Sequence, residues 1–261
     1  MTAKRFVRCS IEQYRYFAEI ARQARTCLEL VASSEIDGNF GRMSLMCSDA
    51  FVDASSDKPG MMERCIIELV VDIDVDRFRS CARPEIDWST LADDEIHLFV
   101  LQHEIGHRVD NFHTWDMSPE ANDEVRARCN RYLRWANEVL ADRYAWSKVR
   151  PGEPMPIGEH GVRNADLIEE TLAFLDTHIP RTPYKPQQTD PNCYSCVPVR
   201  MLSSDVLAAY VGAECHPAKI ARAKEYVRSS RERRHLPYPV PLFEAGPGDI
   251  VLTSFAGRAA A

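Results

Sequence analysis

An α+β fold is predicted for this chain by three observations. Residues 65–75 alternate at period two, longer segments of helical period surround them, and 45% of the 261 residues are hydrophobic, enough for one substantial core. At roughly 100–200 residues per domain, the length allows one domain plus an appendage. The expected division is a main domain over 1–179, a proline-rich connecting arm over 180–201, and a helical C-terminal extension over 202–261 with a basic helix and a fraying tail.

Ser10 with Gln13 reads as a capping box, and Ile11, Tyr14, Ala18, Ala21 and Leu28 recur at helical spacing, so a first helix is expected over 10–32. Asp37-Gly38-Asn39 carries turn chemistry and leads to a short strand within 43–52. Over 65–75, Ile67, Leu69, Val71, Ile73 and Val75 alternate with Glu68, Asp72 and Asp74, which predicts one buried face and one acidic, solvated face. Asp72, Asp74 and Asp76 imitate the start of a calcium loop. Arg77 stands where Gly is needed and Arg83 where the bidentate Glu belongs, so calcium is rejected there.

The next helix is expected from Thr90 to Val109, with Asp93, Asp94 and Glu95 placing negative charge in a first turn that the helix dipole favours. Ile96, Val100, His103 and His107 lie on one stripe of it. The apolar half anchors the helix, and the continuation aims two imidazoles at one point. His103-Glu104-Ile105-Gly106-His107 fits the H-E-x-x-H pattern, in which two neutral imidazoles one turn apart converge on Zn2+ at about 2.0–2.1 Å. Glu104 is rotated by one residue and flanks the ion without needing to ligate it. Gly106 costs about 1 kcal/mol relative to Ala in a helix interior, which suggests that another backbone packs closely there.

A further helix is expected to open at Ser118, with Pro119 at its first position, and Val125, Cys129, Tyr132, Ala136, Val139 and Leu140 on its apolar side. Glu138 and Asp142 are one turn apart on it. Alone they would be an ordinary surface pair. Following H-E-x-x-H, Glu138 completes a three-ligand site with its fourth position left to water, the arrangement that separates catalytic from structural zinc. Two neutral histidines and one carboxylate leave the centre at a formal charge of about +1, so a bound water is strongly acidified. Asp142 then accepts the remaining N–H of a ligating histidine and fixes its tautomer.

These residues resemble the gluzincin metallopeptidases, whose pattern is H-E-x-x-H followed by a Glu on a second helix. Glu138-Val139-Leu140-Ala141-Asp142 looks like the E-x-x-A-D segment of the family that includes the membrane-bound CaaX endoproteases and their soluble minimal relatives. The stretch is also similar to the ImmA/IrrE-like proteases, in which H-E-x-G-H is common. The resemblance covers roughly residues 60–150. It implies a zincin-like core with a small sheet packed on an active-site helix, His103, His107 and Glu138 as ligands of one Zn2+, Glu104 as catalytic base, and Asp142 as the supporting carboxylate. The chain lacks the transmembrane helices of the CaaX branch and shows no helix-turn-helix DNA-binding module.

The implied reaction is hydrolysis of a peptide amide by a zinc-activated water, with Glu104 taking the proton and returning it to the leaving amine. By the same resemblance, the 65–75 strand is the sheet edge against which an extended substrate lies antiparallel, and its acidic residues favour basic substrates. An oxyanion stabiliser is expected after the third ligand, and His160, His178 and Tyr184 are the candidates. His97 and His113 read as packing or surface residues.

Residues 150–161 read as a loop, 166–178 as another helix, and 203–210 and 217–234 as further helical segments. Cys193 and Cys196, with Cys215 and His216, offer a second metal site, but adjacent Cys215 and His216 lack ordinary ligand spacing and reduced thiols are the preferred expectation. Lys219, Arg222, Lys224, Arg228, Arg231, Arg233 and Arg234 make a basic helix, expected to dock on the acidic body.

A net charge of −7 argues against nucleic acid as the main partner, since that affinity rests on Lys and Arg neutralising phosphates. There is no apolar run of about 18 residues and no secretory leader pattern, so no membrane partner is expected. Nine scattered cysteines, an odd count, suit a reducing compartment, and the cytoplasm is the expected location. The sequence thus predicts a soluble zinc-dependent endopeptidase acting on a peptide or protein substrate. The alternative is a regulatory or binding protein that keeps the metal scaffold without peptidase turnover.

Overall fold

A computed structural model describes residues 4–24, 26–48, 51–52, 62–181 and 197–198 and shows a mixed α and β chain. In chain order its elements are β1 (Phe6–Arg8), α1 (Ile11–Gln23), β2 (Cys27–Val31), β3 (Gly41–Ser48), β4 (Phe51–Val52), β5 (Met62–Val70), β6 (Asp72–Asp74), α2 (Val75–Arg79), α3 (Ile96–Val109), α4 (Asp123–Val149), α5 (Glu159–His178) and β7 (Val197–Pro198). Two compact units interleave along the sequence. One takes Met1–Arg8, Ile36–Met43 and Asp72–Lys185, and the other takes Cys9–Glu35, Ser44–Val71 and Pro186–Ala261. No helix among the described residues is long and apolar enough to cross a membrane.

In the second unit the capping box forms as its sequence predicts. The Gln13 N–H donates to Ser10 Oγ at 3.2 Å, and the Ser10 N–H donates to Gln13 Oε1 at 2.9 Å. The helix then stops at Gln23, well short of residue 32. Leu28 fits a helical period, but Cys27–Val31 instead pairs in parallel with β5, placing Leu28 opposite Ile67 and Leu30 opposite Leu69. A ladder with buried apolar pairs outweighs local periodicity here.

The strand predicted at 65–75 differs in three respects. Its sheet has the order β2-β5-β3, so β5 is central and is not an edge that an extended peptide can join. Glu68 is buried rather than solvated, which leaves only Asp72 and Asp74 of the expected acidic face outside the core. The strand also breaks at Val71, whose N–H bonds Val31 O at 3.0 Å while its carbonyl accepts from the Cys9 N–H at 2.9 Å.

In the first unit, β6 pairs antiparallel with β1. Asp72 takes the Arg8 guanidinium at 2.8 Å, and Asp74 caps α2 by accepting the Arg77 N–H at 3.1 Å. Both carboxylates are committed to local structure. Helix α3 begins at Ile96 rather than Thr90, because two short 3-10 turns precede it and Glu95 Oε2 accepts the Ala92 N–H at 2.7 Å. Helix α4 begins at Asp123 rather than Ser118. Asn122 caps it by accepting the Val125 N–H at 2.9 Å, while Ser118 to Ala121 forms a turn with Pro119 at its second position. Helix α5 starts seven residues before the expected Asp166, at Glu159.

Helices α4 and α5 share an apolar core of Phe112, Cys129, Ala136, Val139, Leu140, Ile168, Leu172, Leu175 and Ile179. A second, aromatic core lies beside α3, where Phe78 stacks on Trp88 at 4.6 Å and Phe99 meets Trp88 edge-on at 5.5 Å. Apart from residues 180–181 and 197–198, the proline-rich arm lies outside the described residues, as do Tyr184, Cys193, Cys196, Cys215 and the predicted helices at 203–210 and 217–234.

Candidate metal centre

The approach of α3 to α4 sets the site. At Gly106 a Cβ would stand 2.9 Å from Ala141 Cα and 3.1 Å from Ala141 O, so only glycine lets the two backbones come this close. The close approach suggested by that residue in the sequence is present. Asn137, one residue before Glu138, then fixes the register: its Oδ1 accepts the Phe112 N–H at 2.8 Å and its Nδ2 donates to Phe112 O at 3.0 Å. Beyond the end of α4, Arg150 grips Glu95 through two nitrogens at 2.9 and 2.8 Å, just ahead of α3.

His103, His107 and Glu138 converge with all their candidate ligand atoms within 4.8 Å of one another. The two Nε2 atoms are 3.2 Å apart, Glu138 Oε2 is 3.5 Å from His103 Nε2, and Glu138 Oε1 is 3.6 Å from His107 Nε2. Donors about 2.0–2.1 Å from one ion at a tetrahedral angle are separated by about 3.4 Å. The observed spacings bracket that value, with Oε2 facing His103 and Oε1 facing His107, so the three residues could hold a metal ion.

Each imidazole is oriented through its other nitrogen. His103 Nδ1–H donates to Asp142 Oδ1 at 2.9 Å, which aims Nε2 at the centre. Asp142 is fully buried and also accepts from Trp88 Nε1–H at 3.3 Å and from Arg83 Nε–H at 2.9 Å. His107 Nδ1 faces the Asn111 amide nitrogen at 3.2 Å. Asn111 Oδ1 is buried without a partner among the described residues, and turning the amide over would let it accept Nδ1–H and leave Nε2 of His107 free to ligate.

Glu104 is 7% exposed and packs where β3 begins. A Cβ at Gly41 would stand 2.9 Å from Glu104 Oε1 and 2.7 Å from Val100 Cγ1, so glycine is required for the strand to pass. The Met43 N–H donates to the Glu104 carboxylate. Burial raises Glu104 to about 7, against the pull of His103 and of that N–H. Burial also opposes a charge on His103, but acceptance by Asp142 and Glu138 prevails and lifts it to about 9. Burial, reinforced by the His103 charge, takes His107 down to about 4. For Glu138 burial acts upward, yet His103 and Arg83 hold it well below the usual carboxylate range. In the metal-free site a proton is therefore favoured on His103 over His107.

The structure brings together all five predicted residues of the main site: His103, Glu104, His107, Glu138 and Asp142. His160 and His178 lie near opposite ends of α5, about 27 Å apart along a helix of this length, so at most one of them can serve a single centre. His160 contacts Arg163, and His178 packs on Phe174. Arg83, Trp88, Asn111 and Gly41 were missed by the sequence reading. Asn111 stands four residues after His107 but beyond the end of α3 at Val109, so helical spacing does not account for its contact. No family model, curated protein or solved structure matches this chain.

Proposed function

We propose that the chain is a zinc-dependent endopeptidase with a zincin-like core of the gluzincin type. The observation that carries this is the convergence of His103 Nε2, His107 Nε2 and the Glu138 carboxylate at tetrahedral spacing beside a buried glutamate that does not join the group. Two imidazoles and one carboxylate are a donor set suited to zinc, and three protein donors leave a position open. When bound, the ion supplies Lewis acidity to a peptide carbonyl and to water.

Glu104 accepts the proton of the attacking water as the new C–O bond forms, then delivers it to the departing nitrogen as the C–N bond breaks. Burial raises its proton affinity in the metal-free site, the direction a general base needs. Asp142 holds His103, and Asn111 holds His107, so neither imidazole must reorient during turnover. Glu138, with about a third of its side chain exposed, and His107 mark the accessible side on which a peptide or protein substrate would enter.

Metal analysis coupled to a proteome-wide cleavage assay tests this reading, with the native chain compared to Glu104→Gln. The expected result is one zinc per chain in both proteins and cleavage by the native chain alone, a loss on the order of 10²–10⁴-fold for removing a general base. Equal cleavage by both would exclude Glu104 as the base. Zinc uptake without cleavage by either would favour a regulatory metal protein.

A further inference from the structure

We propose, resting on the metal reading above, that Arg83 is a positioning residue that limits Glu138 to one ligating oxygen and so favours zinc over ions that need more oxygen donors. Arg83 lies between α2 and the 3-10 turn at Trp88–Thr90. Its Nη2 donates to Glu138 Oε2 at 2.8 Å, and its Nε donates to Asp142 Oδ2 at 2.9 Å. One planar guanidinium thus spans two carboxylates that stand a helical turn apart on α4. The plane is itself fixed, because the guanidinium carbon sits 4.2 Å from the centroid of Trp88, whose Nε1–H also donates to Asp142. The Arg83 side chain is only 14% exposed.

The consequence for Glu138 follows from counting its oxygens. Oε2 accepts from Arg83 at 2.8 Å and stands 3.5 Å from His103 Nε2, whereas Oε1 has no hydrogen-bond donor among the described residues and faces His107 Nε2 at 3.6 Å. Chelation through both oxygens would draw Oε2 away from Arg83 and strand a buried, charged N–H, a costly outcome. Ligation through Oε1 leaves the fork intact. The ion then meets three single-atom donors, which zinc accepts readily and which manganese, with its preference for octahedral oxygen sites, does not.

The charge on Arg83 works in the opposite direction, because a fixed cation close to the site repels the ion. The two effects therefore predict opposite signs. If charge dominates, truncating Arg83 tightens zinc binding. If the fork dominates, truncation weakens it, and Lys fails to substitute because it keeps the charge without the planar pair of donors.

Zinc and manganese affinities, measured by chelator competition on the full chain and on Arg83→Lys and Arg83→Met, decide between them. The expected result is a loss of about 10- to 100-fold in zinc affinity in both variants, with a narrowed zinc-to-manganese ratio. Zinc binding by Arg83→Lys equal to the native chain, or tighter binding by Arg83→Met, would overturn the proposal. Should neither variant fold, the zinc-minus-metal-free infrared difference spectrum of the native chain decides instead. A wide separation of the carboxylate stretches marks one-oxygen ligation and supports the proposal, and a narrow separation marks chelation and overturns it. A native chain that takes up no zinc would contradict the metal site itself, a result distinct from native binding with unaffected variants.

Discussion

The two histidines of α3 are the same residue type one turn apart, yet the protein holds them in opposite ways. His103 is 6% exposed and donates to a buried carboxylate that Arg83 and Trp88 also hold. His107 is half-buried and meets the neutral amide of Asn111. One imidazole is raised to about 9 and the other lowered to about 4. The difference divides the pair into an anchored imidazole that holds a proton more tightly and a neighbour that holds it less; on the proposed metal reading an incoming ion would displace the proton of His103.

Asp142→Asn breaks the comparison most severely, since it gives His103 an amide like that of His107. Removing one partner from a buried charged cluster costs roughly 3–5 kcal/mol. Thermal melts should report that loss, and zinc affinity should fall by up to about 100-fold. The pH dependence sharpens the same contrast. His103 must lose its proton to ligate, so zinc affinity should rise as pH increases and level off above about 9. Between pH 7 and 8, well below the His103 value, the slope should approach tenfold per unit, and calorimetry at pH 8, where Glu104 is mostly ionised, in buffers of different ionisation enthalpy should count about one proton released. A flat profile over that range would remove the stored proton from the account.

Gly41→Ala leaves both histidines alone and acts on the base. The added methyl would stand 2.9 Å from Glu104 Oε1, so either the strand or the carboxylate must shift. Turnover should fall about tenfold with zinc affinity unchanged, a split that separates positioning of the base from assembly of the metal site. Asn111→Ala should have the smallest effect. A neutral hydrogen bond contributes about 1 kcal/mol, which predicts a loss of about fivefold in zinc affinity. A loss as large as that of Asp142→Asn would erase the distinction between the two histidines.

What the sequence revealed follows the range of each interaction. His103, Glu104 and His107 are legible because one helical turn dictates their geometry, and Glu138 and Asp142 because they repeat that spacing on a second helix. Gly106 signals the helix contact since glycine is disfavoured mid-helix unless a neighbour needs the space. The early end of α1 was hidden because Leu28 satisfies both a helical and a strand period, and only pairing with Ile67 decides between them. The central position of β5 is likewise a property of its neighbours rather than of its own alternation. Arg83 lies 55 and 59 residues from the carboxylates it joins, and nothing in its surrounding sequence points to either.

Anomalous diffraction at the zinc edge, from crystals of the full chain grown with zinc, tests the central claim most directly. One peak is expected about 2.0–2.2 Å from His103 Nε2, His107 Nε2 and a Glu138 oxygen. A zinc bound elsewhere with these three side chains unligated, or no zinc at all under conditions that keep the chain folded, would contradict it.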